Sequence, residues 1–159
     1  MASDAQPYSI PRIPASAGAL IVDPAGRLLI LKPTYKKGWT VPGGQIEAGG
    51  ESPWQACRRE TLEECGIVVD GGRLVCVDFL HPKPDRPGGL RFLFDCGAVD
   101  DQTISSISLQ EAEIAEYRFV ELSEALELLS GPLRRRVSQA RSANGPLYLE
   151  DGRPVADAG

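Results

Sequence analysis

The sequence predicts an α/β fold, and three observations carry that expectation. Strand-like apolar runs outnumber helical stretches, a glycine-rich loop leads into a helix capped at both ends, and the composition is that of a globular chain. Its 159 residues suit one domain with a real core, on the scale of roughly 100–200 residues per domain. Hydrophobic residues at 42% and charged residues at 25% exclude disordered, collagenous and coiled-coil classes. No run approaches the ~18 consecutive apolar residues of a membrane span.

Residues 1–14, broken by Pro7, Pro11 and Pro14, read as an entry arm, so the single domain is expected over 15–159. Runs 17–22 and 27–31, joined by Asp23-Pro24-Ala25-Gly26, predict a β-hairpin. A glycine-rich loop over 42–50 precedes a helix whose start is marked three times. Ser52 is the N-cap, Pro53 takes the first helical position, and Gln55 completes a capping box. Gly66 ends it. Strands are expected over 73–80 and 90–98, separated by a loop holding Pro82, Pro84, Pro87, Gly88 and Gly89. A further strand is expected at 113–120, a helix capped by Ser123 through 129, and another from Pro132 towards 142. Residues 147–155 turn at Asp151-Gly152 as a closing hairpin.

The charge balance limits the chemistry. With 17 Lys and Arg against 22 Asp and Glu, the net charge is −5, which argues against an electrostatic grip on nucleic acid. An acidic protein that handles a phosphorylated substrate needs a cation as mediator. His81 is the one histidine, and Cys57, Cys65, Cys76 and Cys96 contain no C-x-x-C pair, so the ligands of such a cation are expected to be oxygens. The same cysteines, with no signal-peptide pattern in residues 1–14, suggest a reduced cytoplasm.

On a helical wheel Trp54, Cys57, Thr61 and Cys65 share one arc, and Glu60, Glu63 and Glu64 fall on the next. Like charges at these spacings cost an isolated helix roughly 0.2–0.5 kcal/mol per pair. A divalent cation such as Mg²⁺ would reverse that cost. A glutamate face by itself is ordinary solvated surface. Here Glu51 stands at the helix entrance, Arg59 is one turn from Glu63, and the Gly43-Gly44 turn can bring backbone close to an ion or phosphate.

At this point a resemblance emerges. Residues 44–51, followed after seven residues by Arg59-Glu60-Thr61-Leu62-Glu63-Glu64-Cys65-Gly66-Ile67, resemble the Nudix hydrolase signature G-x5-E-x7-R-E-U-x-E-E-x-G-U, where U is aliphatic. The run 39–44, Trp-Thr-Val-Pro-Gly-Gly, and the segment 113–120 are similar to flanking family patterns. Two departures stand out. Six residues instead of five separate Gly44 from Glu51, with Gly49-Gly50 where one glycine is usual, and Thr61 replaces an aliphatic residue. A glycine can bulge out of a loop without shifting the helix, and the Thr61 hydroxyl can bond back to its own helix.

The resemblance implies an α/β/α sandwich with a mixed β-sheet between helices. It implies a Mg²⁺-dependent pyrophosphohydrolase, with Mn²⁺ able to substitute, acting on a nucleoside diphosphate linked to another moiety. Glu60, Glu63 and Glu64 become metal ligands, with Glu60 also the catalytic base, Glu51 in support and the Gly43 carbonyl completing the set. Arg59 orients the glutamates, and Glu113 supplies an acid from outside the box, with Glu116 as competitor. ADP-ribose or a nucleotide sugar is favoured, because Pro82 and Pro84 fall near the proline of the ADP-ribose branch. The alternative is a nucleotide-sensing module of the same fold without turnover. A homodimer is compatible with the family; nucleic acid and membrane are not expected as partners.

Around the site, Lys32, Lys36, Lys37, Arg86 and Arg91 are candidates to meet phosphates, Arg91 foremost because its strand presents alternate residues to a cleft. Trp39 and Phe79 are candidates to stack on a base, although aromatics beside apolar strands are commonly core. Arg134-Arg135-Arg136 reads as a solvated helix face, with Leu133, Val137 and Ala140 inward, and His81 as structural or exposed.

Overall fold

The computed structural model describes residues 9–158, so the first eight residues of the expected arm lie outside the described residues. Residues 9–14 have no regular structure, and the Pro14 carbonyl accepts the Leu90 N–H at 2.9 Å. The elements are β1 (Ala15–Val22), β2 (Leu28–Pro33), β3 (Gly43–Gln45), α1 (Pro53–Cys65), β4 (Arg73–Leu80), β5 (Gly89–Ala98), α2 (Asp101–Ser105), β6 (Ile114–Val120), α3 (Leu122–Leu128), α4 (Gly131–Ser142), β7 (Leu147–Glu150) and β8 (Arg153–Pro154). The strands form one sheet in the order β6-β2-β1-β5-β4-β7-β8, with β3 also on β1. It is mixed, because β1–β5 and β4–β7 run parallel and the other pairs antiparallel.

Strand alternation sorts the core into two layers. Ala17, Ala19 and Ile21 of β1, with Leu29 and Leu31 of β2, pack with Ala56, Cys57 and Cys65 of α1. Leu20, Leu28 and Ile30 point the other way, towards Ala125 of α3 and Val137 and Ala140 of α4. A sheet covered on both faces needs the near-continuous apolar runs that these strands carry. The result is the helix–sheet–helix sandwich implied by the resemblance.

Helix α1 is capped as its sequence predicts. Ser52 accepts the Gln55 N–H at 3.2 Å and Gln55 accepts the Ser52 N–H at 2.8 Å, while Gly66 closes the helix with φ 71°. The Thr61 hydroxyl donates to the Cys57 carbonyl at 2.7 Å inside its own helix, so this buried hydroxyl is not orphaned. The final hairpin turns at Asp151 and Gly152, with φ 50° and 75°.

Several expectations need correction. The 17–31 hairpin is paired in register only at Val22↔Leu28; β2 then swings to β6. Residues 43–45, expected as loop, form β3 on β1. Glu113 lies just before β6, so it and Glu116 are not on one strand. Helix α3 starts at Leu122 with no side-chain cap, so Ser123 is inside it. Helix α2 was unforeseen, because five residues are too few to show a period; Asp100 caps it through Thr103 at 2.8 Å. Arg136 is not on a solvated face: it is buried and its Nη2 reaches Asp78 at 2.8 Å.

Candidate active site

The box helix presents its glutamates unequally. Glu64 sits three residues after buried Thr61 and beside buried Cys65, so helical geometry places it in the packed stripe; it is 4% exposed. Its Oε2 is buried and has no hydrogen-bond partner among the described residues. Burial first, and the neighbouring Glu60 charge second, push the Glu64 carboxyl up to about 8 against the pull of the Gly43 backbone N–H. Glu63, on the outer flank, is half exposed.

Glu60 lies between these extremes, against β3. A side chain at Gly44 would meet the Glu60 carboxylate and displace it, so glycine here leaves room for that carboxylate to lie against the strand. Burial raises the Glu60 pKa, Arg59 opposes the rise, and the charges of Glu63 and Glu113 add to it. Arg59 ties the cluster together. Its Nε and Nη2 grip Glu51 at 2.7 and 3.1 Å, its Nη1 reaches Glu60 at 2.9 Å and Glu63 at 3.1 Å, and Nη2 also donates to the Gln45 carbonyl at 3.0 Å. The guanidinium holds Glu51 below the usual carboxylate range, and the glutamates hold Arg59 charged.

Glu113 is close enough for its charge to raise both Glu60 and Glu64, whereas Glu116 pairs with Arg118 at 2.7 Å. The two acids left open by the sequence are therefore in different surroundings. The extra glycine occupies an open turn: Gly49 and Gly50 have φ 98° and 95° with nothing near a side-chain position. Below it, the Glu47 N–H donates to Glu51 at 2.7 Å, so the loop closes on the same carboxylate that holds Arg59.

The donor set fits a divalent cation in its chemistry. It is all oxygen, and it contains a buried, unpartnered carboxylate oxygen that carries charge only at a cost unless a cation comes close. No group of three potential ligands converges on one point among the described residues. Arg59 draws Glu60 and Glu63 to itself instead, so these side chains must turn from it to share an ion.

Across the sheet from α1, a cavity of about 540 Å³ opens beside β3. Gly18, Gly43 and Leu93 form part of its floor, and Trp39, Arg91 and Arg136 line it. Trp39 is itself covered by Arg118 and Lys32, at 4.7 and 5.9 Å from the ring centroid. Phe79 does not line the cavity. Asp78 and Leu80 face α4 and the cavity, so alternation turns Phe79 to the other side, where it meets the His81 ring at 5.0 Å. His81 is structural, its backbone N–H on Asp151 at 3.1 Å. Sequence reasoning missed Tyr35 and Arg136 as lining residues. Arg136 was detectable, since it lies three residues after Leu133 and four before Ala140, within the inward stripe of α4.

Comparison with known proteins places this geometry. No curated protein sequence matches the chain significantly. Among solved structures, the MutT protein of Methanosarcina mazei Go1 superposes with TM-score 0.66 at 23% identity, covering 85% of this chain and 100% of that one. A C. elegans Ap4A hydrolase in a binary complex gives 0.57 at 26% identity, over 79% and 92%. The Nudix domain of Shewanella oneidensis NrtR, complexed with ADP ribose, gives 0.68 at 17% identity, over 87% and 92%. The NUDIX domain family itself matches residues 12–140, which include the box, the capped helix and most of the sheet; the chain belongs to the Nudix family, as a hydrolase acting on pyrophosphate bonds.

Proposed function

We propose that the protein is a Mg²⁺-dependent pyrophosphohydrolase that cleaves a nucleoside diphosphate linked to a second moiety, with ADP-ribose or a nucleotide sugar as the scaffold. The observation that carries this reading is Glu64 Oε2, a buried acceptor without a partner beside a second partly buried glutamate. Hydrolases of this family use divalent metals. Glu60, Glu63 and Glu64, with the Gly43 carbonyl, would hold the cation. Bound there, it offsets the charge of the pyrophosphate and lowers the pKa of an attacking water.

The chain's own groups do the rest. The Glu60 carboxylate takes the proton of the water, and Arg59, anchored on Glu51, positions Glu60 without touching substrate. Glu113 is the acid from outside the box, on its proximity to Glu60 and Glu64. Lys36, which lines the cavity, is close enough for its charge to act on Glu64, and Trp39, with Arg118 and Lys32 over its ring, is the candidate to meet a base. A small nucleotide fits this cavity. The domain over 15–159 and a cytoplasmic setting are part of the proposal; no helix among the described residues is long and apolar enough to cross a membrane.

A panel of nucleoside diphosphate derivatives, assayed for phosphate after a coupled phosphatase step, tests this reading. Turnover is expected with Mg²⁺ or Mn²⁺, lost in EDTA, poorly restored by Zn²⁺, and rising into mildly alkaline pH as ligands and water deprotonate. Turnover that survives chelation would overturn it. ADP-ribose bound in EDTA but never cleaved would favour the sensing module.

A further inference from the structure

The cavity has a second end, built from different chemistry. Among the described residues no Asp or Glu lines the cavity, but Lys36, Lys37, Arg86, Arg91 and Arg136 do. Lys36 belongs to the end nearer Glu64. The arginines come from β5, α4 and the Pro-rich loop before β5.

Arg91 is the key residue. In register it stands directly opposite Asp78 on β4, the natural partner for a cross-strand ion pair. Asp78 is already engaged on both oxygens. Its Oδ2 accepts from Arg136 Nε at 2.9 Å and its Oδ1 accepts the Gly152 N–H at 2.9 Å. Arg91 is left without an ion pair among the described residues, and two of its donors rest on the Leu90 and Gly88 carbonyls at 3.1 and 3.4 Å. A guanidinium carries five N–H donors in a planar fork that matches a phosphate.

Arg86 repeats the pattern. Its nearest acid, Asp151, is held by the His81 N–H at 3.1 Å and by the His81 ring at 3.0 Å, and Arg86 reaches it only at 3.5 Å. The Arg86 Nε is buried with no partner among the described residues. Burial and the nearby charges of Arg136 and Arg86 lower the Arg91 pKa against the opposing pull of Asp78, so cations outnumber anions around this guanidinium.

Strand spacing sets the distance from the glutamate end. Gly18 pairs with Gly43 on one side and Leu93 on the other, and Arg91 precedes Leu93 by two residues on the same face. Two strand spacings, about 10 Å, separate β3 from β5. The Arg91 guanidinium does not reach back across that gap, because it rests on the Leu90 and Gly88 carbonyls of its own segment, so a phosphate gripped there is distinct from one beside Gly43.

We propose that Arg91 and Arg86 form a second anion site, at the α4 end of the cavity, for a phosphate monoester that the substrate carries away from the pyrophosphate that is cut. The inference rests on the cavity being the substrate site of the proposed hydrolase. It narrows the substrate class from a bare nucleoside diphosphate derivative to one that bears an additional phosphate.

Matched pairs that differ by one phosphate monoester test it: coenzyme A with dephospho-coenzyme A, and NADPH with NADH. The expected result is a kcat/KM ratio of at least about tenfold in favour of the phosphate-bearing member of at least one pair. In Arg91→Ala that ratio falls towards one, and Arg86→Ala lowers it. Arg91→Gln, which keeps amide donors for the two backbone carbonyls, is expected to lose the ratio too and serves if the alanine variant does not fold. Calorimetry in EDTA with adenosine 3′,5′-bisphosphate and AMP separates this proposal from hydrolysis. Tighter binding of the bisphosphate by about tenfold, abolished in the Arg91 variant, supports the site even if nothing is cleaved. Equal binding, or a wild-type ratio near one in both pairs, overturns it.

Discussion

Glu64 and Asp78 are both carboxylates in the interior of this protein, on opposite faces of one sheet, and they are treated in opposite ways. Asp78 is wholly buried and satisfied on both oxygens, by Arg136 and by the Gly152 N–H, so it behaves as a structural bolt between β4, α4 and the last turn. Glu64 is nearly as buried, yet one oxygen has no partner and the carboxyl is pushed up to about 8. A buried acceptor without a partner costs free energy on the order of 1–3 kcal/mol. Asp78 is thus complete within the fold, whereas Glu64 has an acceptor that the proposed cation would satisfy.

The comparison breaks most visibly at Asp78. Removing one member of a buried ion pair strands the other, so Asp78→Ala is expected to cost about 3–5 kcal/mol, read as a lower midpoint in urea denaturation. A loss under about 1 kcal/mol would show the pair to be no stronger than a surface contact.

On the other face the expected loss is of rate. Glu60→Gln and Glu64→Gln should each lower kcat by at least about a hundredfold, roughly 2.7 kcal/mol, with folding near wild type. Glu47, which is exposed and off the helix, serves as control for the same change. Both box variants within about tenfold of wild type would remove the glutamates from the mechanism.

Stability against pH separates the acids further. Glu64 has a folded pKa of about 8 against an ordinary 4.5, so the folded protein holds a proton that the unfolded chain releases. Stability of the metal-free protein should therefore fall as pH rises from about 4.5 through about 8, by on the order of a few kcal/mol. Glu64→Gln should flatten that fall, so that the variant melts above wild type at pH 8 in EDTA and close to it at pH 4.5. An unchanged slope would mean that Glu64 is ionised and satisfied in the folded state.

The smallest effect is expected at the extra glycine. Deleting Gly50 should keep the fold and leave activity within about tenfold, because the turn is open and one residue changes loop closure little. A rise above about tenfold in the Mg²⁺ concentration for half-maximal rate, at unchanged melting temperature, would show that the bulge helps present Gly43.

Local rules made much of this protein legible in advance. Ser52, Pro53, Gln55 and Gly66 delimit α1 because caps act through backbone groups one to three residues away. Residues 73–80 read as β4 because a short apolar run bounded by turn residues marks a strand locally. The box spacing placed Glu60, Glu63 and Glu64 on neighbouring arcs, since one helix holds them all. Tertiary contacts alone decided the rest. Gly43–Gln45 becomes a strand because β2 leaves an edge of β1 unpaired, which no residue within 43–45 encodes. Glu64 becomes the strained acid and Glu63 the exposed one through what packs over α1. Phe79 turns away from the cavity and Arg91 into it by strand register, and the Asp78 opposite Arg91 pairs instead with Arg136, 45 positions after Arg91. Partnership between side chains distant in sequence depends on which of them arrives at the same atom, and only the folded chain settles that.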